Sequence, residues 1–127
     1  MTMRVRKDST VERRAELMTE WYREQLKEYI GPLVERWAEK LVERDVTWQI
    51  KSMKTLWGSC NARRRSLLFN LELARVPKEC IEYVVVHELT HLKIQNHSKV
   101  FEFLLGQQIP NWKSLRKKLN EYLAMPI

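Results

Sequence analysis

Residues 84–97 read VVVHELTHLKIQNH and contain all three histidines of the chain. His87 and His91 frame the pattern H-E-x-x-H, which is typical of zinc hydrolases. On a helix, residues four positions apart share a face, so both imidazoles point toward one ion. Glu88 lies about 100° further around the helix, beside the metal, in the position of a general base for a metal-activated water. The segment therefore predicts a metal-bearing helix with a catalytic carboxylate.

A catalytic zinc site takes three protein ligands, and His97 is the first candidate for the third. It follows His91 by six residues, which would rotate it about 120° away from the ligand face of an unbroken helix. We therefore expect the helix to end between Leu92 and Asn96. Asn96 would form the turn, because asparagine tolerates the left-handed conformation. Glu102 is the alternative third ligand, but His97 is nearer and its imidazole is the softer donor.

Helical periodicity in the first third of the chain predicts two helices. The first begins at Ser9, the N-cap of a capping box, and extends to Ile30. Gly31-Pro32 predicts a break, and a second helix then runs to about Asp45. The inward positions expected for the first helix are Val11, Ala15, Met18, Trp21, Tyr22, Leu26, Tyr29 and Ile30.

After these helices the period of the apolar residues changes from about four to two. Val46, Trp48 and Ile50 alternate with polar residues, which predicts a half-buried strand. Ser66–Asn70 predicts a second strand, antiparallel to the first. Residues 57–65 between them are expected to form a turn-rich connection.

The metal helix itself is expected to begin at Pro77, to reach about Gln95 and to be largely buried. Ser98 fits the N-cap of a following helix over Lys99–Leu105. A last helix over residues 112–124 places an apolar face inward and a basic face outward. The inward residues are Trp112, Leu115, Leu119 and Tyr122, and the outward ones are Lys113, Arg116, Lys117 and Lys118.

Length and composition are those of one globular domain over residues 1–127. No stretch approaches the ~20 apolar residues of a membrane span. The first residues lack the apolar region of a secretory signal, so a cytoplasmic location is expected. Cys60 and Cys80 form no C-x-x-C pair, which indicates free thiols and excludes a cysteine-based zinc ribbon.

The net charge of +7 favours acidic partners. Arg63-Arg64-Arg65 and the basic face of the last helix are the densest basic clusters. Their ordinary explanation is a solvated surface. The alternative hypothesis is weak, sequence-independent binding to nucleic acid that falls steeply with salt.

Several motifs taken together carry a resemblance to a known family. They are W-G-S-C at 57–60, L-F-N at 68–70, Pro77, I-x-Y-V-V-x-H-E-L-x-H-L at 81–92 and N-H-S-x-x-F at 96–101. These closely resemble the YgjP-like family of predicted metal-dependent hydrolases, over roughly residues 15–123. The resemblance implies an α+β, minimal zincin-like fold, in which a small antiparallel sheet packs on a buried zinc-bearing helix with flanking helices. It also implies one zinc ion on His87, His91 and His97, with Glu88 catalytic.

The family is similar to the Wss- and SprT-type proteases, which act on DNA-linked proteins, and some members are described as nucleotide pyrophosphatases. The first hypothesis is therefore a zinc metallopeptidase acting on a peptide or protein. The alternatives are a zinc-dependent nucleotide pyrophosphatase and a non-catalytic, zinc-stabilised nucleic-acid-binding domain. Glu88 argues against the last, because a structural zinc site needs no base. Family members usually carry a β-rich segment ahead of the helix near Ser9, and this chain departs from that pattern.

The substrate cleft has five candidate residues: Trp57, Gly58, Ser59, Asn70 and Tyr83. Gly58 permits close approach of backbone. Tyr83, one turn before His87, is a candidate oxyanion donor, and so is Asn96 beside His97. Core packing and helix capping are the competing roles for these two. A peptide substrate is expected to bind as an added strand along the free edge of the sheet.

Overall fold

The structure, a computed structural model, describes residues 2–125, with side chains from residue 11 to 125. Helix α1 (Thr2–Lys40) is followed by strands β1 (Thr47–Lys51), β2 (Gly58–Asn61) and β3 (Ser66–Asn70). A 3-10 helix (Leu71–Arg75) leads into α2 (Lys78–Thr90), α3 (Lys99–Gln108) and α4 (Trp112–Asn120). The predicted α+β class is confirmed. None of the described helices has the length and apolar character needed to cross a bilayer.

Helix α1 is continuous through Gly31-Pro32, so the predicted break is wrong. A proline inside a helix costs about 3 kcal/mol, whereas each large apolar side chain buried there contributes about 1.5–3 kcal/mol. Leu33, Val34 and Trp37 are buried just after the proline, and their burial outweighs its cost. The helix also starts before Ser9, whose side chain lies outside the described side chains, and it ends at Lys40 instead of Asp45.

The two halves of α1 differ in burial. Leu26 and Ile30 lie in the core, as expected. Val11, Met18 and Trp21 were expected to point inward, but they are 64%, 55% and 55% exposed. Ala15 and Tyr22 are exposed as well. The apolar stripe of α1 therefore extends past the hydrophobic core, and its first part, from Val11 to Tyr22, is not covered by other described residues.

The sheet has the strand order β1-β3-β2 and is mixed, not antiparallel as predicted. β1 runs parallel to β3, with Ile50 opposite Phe69. The supposed connection contains β2, which pairs antiparallel with β3. The chain reverses direction between β1 and β2 and reverses again at the tight turn of residues 62–65, so it has reversed twice when it enters β3. β3 therefore takes the same direction as β1.

Helix α2 passes through the centre of the molecule, and ten of its 13 residues, all between Cys80 and Thr90, are buried, as predicted. Pro77 is its N-cap residue and not its first helical residue. In α4 the expected residues Trp112, Leu115 and Leu119 are buried. Tyr122 lies beyond the end of α4 and is 47% exposed, contrary to expectation.

Candidate metal and catalytic site

The last turn of α2 carries two of the candidate site residues into the interior. His87 is 3% exposed and Glu88 is 2% exposed. The helix ends at Thr90, five residues earlier than expected, but His91 keeps right-handed helical angles as the C-cap (φ −63°, ψ −17°). His91 therefore stays on the face of His87, one turn further on.

A series of turns brings the chain back after α2. Leu92 N donates to Leu89 O, and Ile94 N donates to Thr90 O. Asn96 is not among the described non-glycine residues with positive φ, so the left-handed turn predicted there is wrong. Ser98 is the N-cap of α3, as expected, and its hydroxyl accepts from Phe101 N at 3.3 Å. The reversal is thus achieved by tight turns and a helix cap instead of a left-handed asparagine.

The three histidines form one cluster, with candidate ligand atoms within 4.8 Å of one another. The Nε2 atoms of His91 and His97 are 3.1 Å apart. Nδ1 of His91 lies 3.0 Å from Ile94 O. A proton on Nδ1 would serve that hydrogen bond and leave Nε2 free as a metal donor. Glu102 is exposed and does not join the cluster found among the described residues.

Burial sets the protonation of the cluster. Burial, together with the nearby charge of Arg116, lowers the pKa of His87 to about 4. Burial likewise lowers the pKa values of His91 and His97. The imidazoles are therefore neutral near pH 7, which is the form that binds a metal. The 3.2 Å contact between His87 Nδ1 and Glu88 Oε2 is then a hydrogen bond and not an ion pair.

Burial has the opposite effect on the carboxyl group and raises the pKa of Glu88 to about 7. A carboxylate with a pKa near neutrality both accepts and returns a proton readily. Glu88 and the three histidines line one open cavity of about 540 Å³. The site therefore combines metal donors and a candidate base at the floor of a cleft.

Strand β2 forms the opposite wall of this cleft and presses closely on Glu88. A Cβ atom on Gly58 would lie 3.1 Å from Glu88 Cγ, 3.1 Å from Val84 Cγ1 and 3.2 Å from Glu88 Oε2. Contacts that short require the neighbouring atoms to move. Glycine at this position therefore lets the carboxylate lie directly against the strand.

The outer edge of β2 has backbone groups available for hydrogen bonding. Asn70 N donates to Trp57 O at 2.9 Å, so these residues form a hydrogen-bonded pair in the antiparallel ladder. Such pairs alternate along the ladder, so Ser59 is bonded to β3 and the backbone groups of Gly58 and Cys60 point away from it. Of the two edge strands, β1 and β2, it is β2 that lines the cavity.

Two of the five candidate cleft residues line the main cavity and three do not. Gly58 and Ser59 line the cavity. Trp57 is fully buried, and its Nε1 has no hydrogen-bond partner within the described structure. Tyr83 is 1% exposed and packs edge-on against His87, beside a smaller cavity of about 120 Å³ that also includes Arg116.

Asn70, the fifth candidate, is fully buried and joins β3 to the loop before β2. Its Nδ2 donates to Met53 O and Leu56 O, both at 2.8 Å. Its Oδ1 accepts from Glu72 N at 3.0 Å. Asn70 therefore holds the loop that leads into β2 and does not line the cleft.

Among the cavity-lining residues that sequence reasoning missed are Cys60, Asn61, Arg63 and Gln95. The first three belong to β2 and the turn after it, and the segment lacks the apolar alternation that marks a strand. Gln95 lies in the turn between two histidines, where nothing in the sequence distinguishes it from its neighbours. Burial, together with the nearby charge of Glu88, raises the pKa of Cys60 to about 11, so its thiol stays protonated.

Glu43 connects the two walls of the cleft from outside. Its Oε1 accepts from Arg65, at the end of the turn after β2, at 2.8 Å. Its Oε2 lies 2.7 Å from Lys93 Nζ, in the turn after α2. Arg65 also donates to Arg44 O at 2.8 Å. One carboxylate thus links the turn that carries Arg63 to the turn that leads to His97.

Comparison with known proteins agrees with this architecture. Residues 1–122 match a family model described as YgjP-like, metallopeptidase domain. No curated protein matches the chain. The crystal structure of the metallopeptidase zymogen of Pyrococcus abyssi abylysin is similar in fold, with a TM-score of 0.71 and 20% identity, covering 77% of this chain and 98% of that one. The zymogen of Methanocaldococcus jannaschii jannalysin gives a TM-score of 0.65 and 25% identity, covering 74% and 96%. The predicted minimal zincin-like fold is confirmed.

Proposed function

The chain belongs to the YgjP-like family and is a metallopeptidase, and we propose that it hydrolyses peptide bonds with one zinc ion held by His87, His91 and His97. The observation that carries this proposal is the meeting of three neutral imidazoles at the floor of a cleft, beside the buried Glu88. Three protein ligands with one open position are the arrangement of catalytic zinc sites.

The donor set suits zinc. Neutral imidazole nitrogen is a preferred zinc ligand, and the 3.1 Å between Nε2 of His91 and Nε2 of His97 is close to the spacing of two ligands on one ion. The hydrogen bond from His91 to Ile94 O orients its ring from the outside, as is usual for histidines that bind metals. When bound, zinc supplies Lewis acidity, which makes water acidic near neutral pH and polarises a carbonyl group.

In the proposed mechanism Glu88 moves the proton. Its carboxylate accepts a proton from the attacking water and then donates it to the amine of the leaving peptide. The Glu88 side chain is buried and lies directly against Gly58, so the carboxylate needs little reorganisation during the reaction. The raised pKa of Glu88 suits it to both steps.

We propose that the substrate binds in extended form along β2. The outward N–H and C=O groups of Gly58 and Cys60 would pair with the backbone of the peptide. Such pairing recognises the main chain and places a peptide bond beside Glu88, since Gly58 touches that residue.

The family favours this function over a nucleotide pyrophosphatase or a nucleic-acid-binding domain. The basic triplet at 63–65 also does not form one patch. Arg65 is paired with Glu43, Arg64 lines a neighbouring cavity that contains none of the histidines, and Arg63 lines the metal cleft. A phosphate-binding surface built from all three arginines is therefore not favoured.

The test is a turnover screen of zinc-loaded protein against unfolded protein, peptide libraries and nucleoside triphosphates. We expect cleavage of peptide bonds and about one zinc ion per chain. His97→Ala should lose zinc and activity, and Glu102→Ala is the matched control that should keep both. Zinc retention in His97→Ala together with loss in Glu102→Ala would move the third ligand to Glu102. Hydrolysis of nucleotides without peptide cleavage would contradict the proposal.

A further inference from the structure

Arg63 occupies a fixed place at the rim of the catalytic cleft. It lies in the four-residue turn that joins β2 to β3, where Arg65 N donates to Ala62 O at 3.3 Å. Arg64 N donates to Asn61 Oδ1 at 3.1 Å, which tightens the same turn. Arg65 is anchored by Glu43. The backbone that carries Arg63 is therefore held at both ends by strands and hydrogen bonds.

The charge of Arg63 is available to a ligand. Arg63 lines the cavity that contains Glu88 and the three histidines. Among the described side chains it has no salt-bridge partner, whereas Arg65 is paired with Glu43. The other cavity-lining residues of β2 and its turn, Gly58 to Ala62, are uncharged. Arg63 therefore sets the sign of the charge that a peptide meets at this end of the cleft.

The direction of β2 determines which part of a substrate reaches Arg63. Gly58, at the start of β2, contacts Glu88, and the strand runs from there toward Arg63. An added peptide pairs more favourably in the antiparallel direction. It would then run from the Arg63 end toward Glu88, so its residues near Arg63 precede the scissile bond. At about 3.4 Å per residue, the four residues of β2 place Arg63 opposite a side chain about two to four positions before that bond.

We propose that Arg63 determines specificity by selecting peptides with an acidic side chain about two to four residues N-terminal to the scissile bond. This inference rests on the proposed function, since it assumes cleavage of a peptide bound along β2. Arginine pairs with carboxylates through two parallel hydrogen bonds, so it suits glutamate or aspartate on a strand passing the rim. Arg63 is exposed, which limits the preference to that of a solvent-accessible ion pair.

The experiment compares a family of quenched fluorescent peptides that differ at one position at a time. Each position on both sides of the scissile bond carries Glu, Gln or Lys, and kcat/KM and equilibrium binding are measured for each peptide. In the wild-type protein, Glu should exceed Gln by about two- to fivefold at one position before the bond, and the ratio should fall at high salt. In Arg63→Glu the order should reverse in favour of Lys.

Arg64→Glu is the matched control, because it makes the same charge change in the same turn but on the side of a different cavity. It should keep the wild-type preference for Glu. Equal cleavage and binding of the Glu and Gln peptides by the wild type would overturn the role of Arg63. A preference that survives in Arg63→Glu, or one located after the scissile bond, would overturn it as well. Binding of the Glu peptides that depends on Arg63, without cleavage of any peptide, would contradict the proposed function and would overturn the role of Arg63 relative to a scissile bond, although Arg63 would still recognise the acidic side chain.

Discussion

Helix α2 and strand β2 face each other across the catalytic cleft and are built in different ways. α2 is buried along most of its length and supplies His87 and Glu88 from a rigid interior position. β2 has four residues, lies at the edge of the sheet and contributes mainly backbone. The helix thus supplies the reactive side chains, His87 and Glu88, whose protonation states are set by burial. Access and alignment belong to an edge strand whose unpaired backbone meets the substrate.

The contact between these two walls should be sensitive to a single methyl group. Gly58→Ala places a Cβ within 3.1 Å of Glu88 Cγ and Val84 Cγ1. Because a misplacement of about 1 Å can cost about 10²-fold, we expect kcat/KM to fall by about 10- to 100-fold. Zinc content should not change, since no histidine is touched. The measurement is steady-state hydrolysis together with metal analysis.

Gly106→Ala is the control for this change. A Cβ on Gly106 would meet Trp112 Nε1 at 3.5 Å, which is ordinary van der Waals contact. That variant should keep its activity, and the exchange inside a helix favours folding slightly. Full activity in Gly58→Ala would mean that the strand does not position Glu88, and the division of roles between the two walls would be wrong.

Glu43 links the turns that follow β2 and α2, so its replacement should lower the stability of the fold. Burial alone would raise its pKa, but the hydrogen bonds from Arg65 and Lys93 outweigh burial, and the pKa lies below its ordinary value of 4.5. A carboxyl group whose pKa is lowered on folding stabilises the protein above its unfolded pKa. This contribution is lost as the pH falls through the lower, folded value.

We therefore expect Glu43→Gln to lower the free energy of unfolding at pH 7 by about 1.5–3 kcal/mol, the range for hydrogen bonds to a charged group. The difference from the wild type should shrink as the pH falls below 4.5. Urea denaturation across a pH series measures it. The contrary result is a difference in free energy of unfolding between wild type and variant that stays constant down to pH 3, on the order of one unit below the ordinary pKa of a glutamate. That result would show that the charge of Glu43 does not contribute to stability.

How much the sequence could predict also differs between the two walls. The spacings that join His87, Glu88, His91 and His97 follow from helix geometry and one turn, so the cluster could be predicted from the chain alone. β2 could not, because Gly58–Asn61 has no apolar alternation and is a strand only through its pairing with β3. The predicted antiparallel pairing of β1 with β3 was wrong for the same reason, because the unrecognised strand β2 adds one more reversal of the chain between them.

Helix α1 shows the other limit of local rules. Gly31-Pro32 has the local chemistry of a helix break, yet α1 continues because Leu33 and Trp37 are buried against the body of the protein. Conversely, the regular spacing of Val11 and Met18 predicted that both side chains are buried, but no other described residues cover them. Tertiary packing decides both cases, and periodicity reports only which side chains share a face.

The most direct test of the central claim is a paired measurement on Glu88→Gln. Glutamine keeps the size and polarity of the side chain but cannot accept the proton of the attacking water. We expect peptide hydrolysis to fall by about 10²- to 10⁴-fold, with zinc content and folding near those of the wild type. Hydrolysis at the wild-type rate would contradict the role of Glu88 as the general base. Loss of zinc instead would make Glu88 a ligand and contradict the three-histidine site.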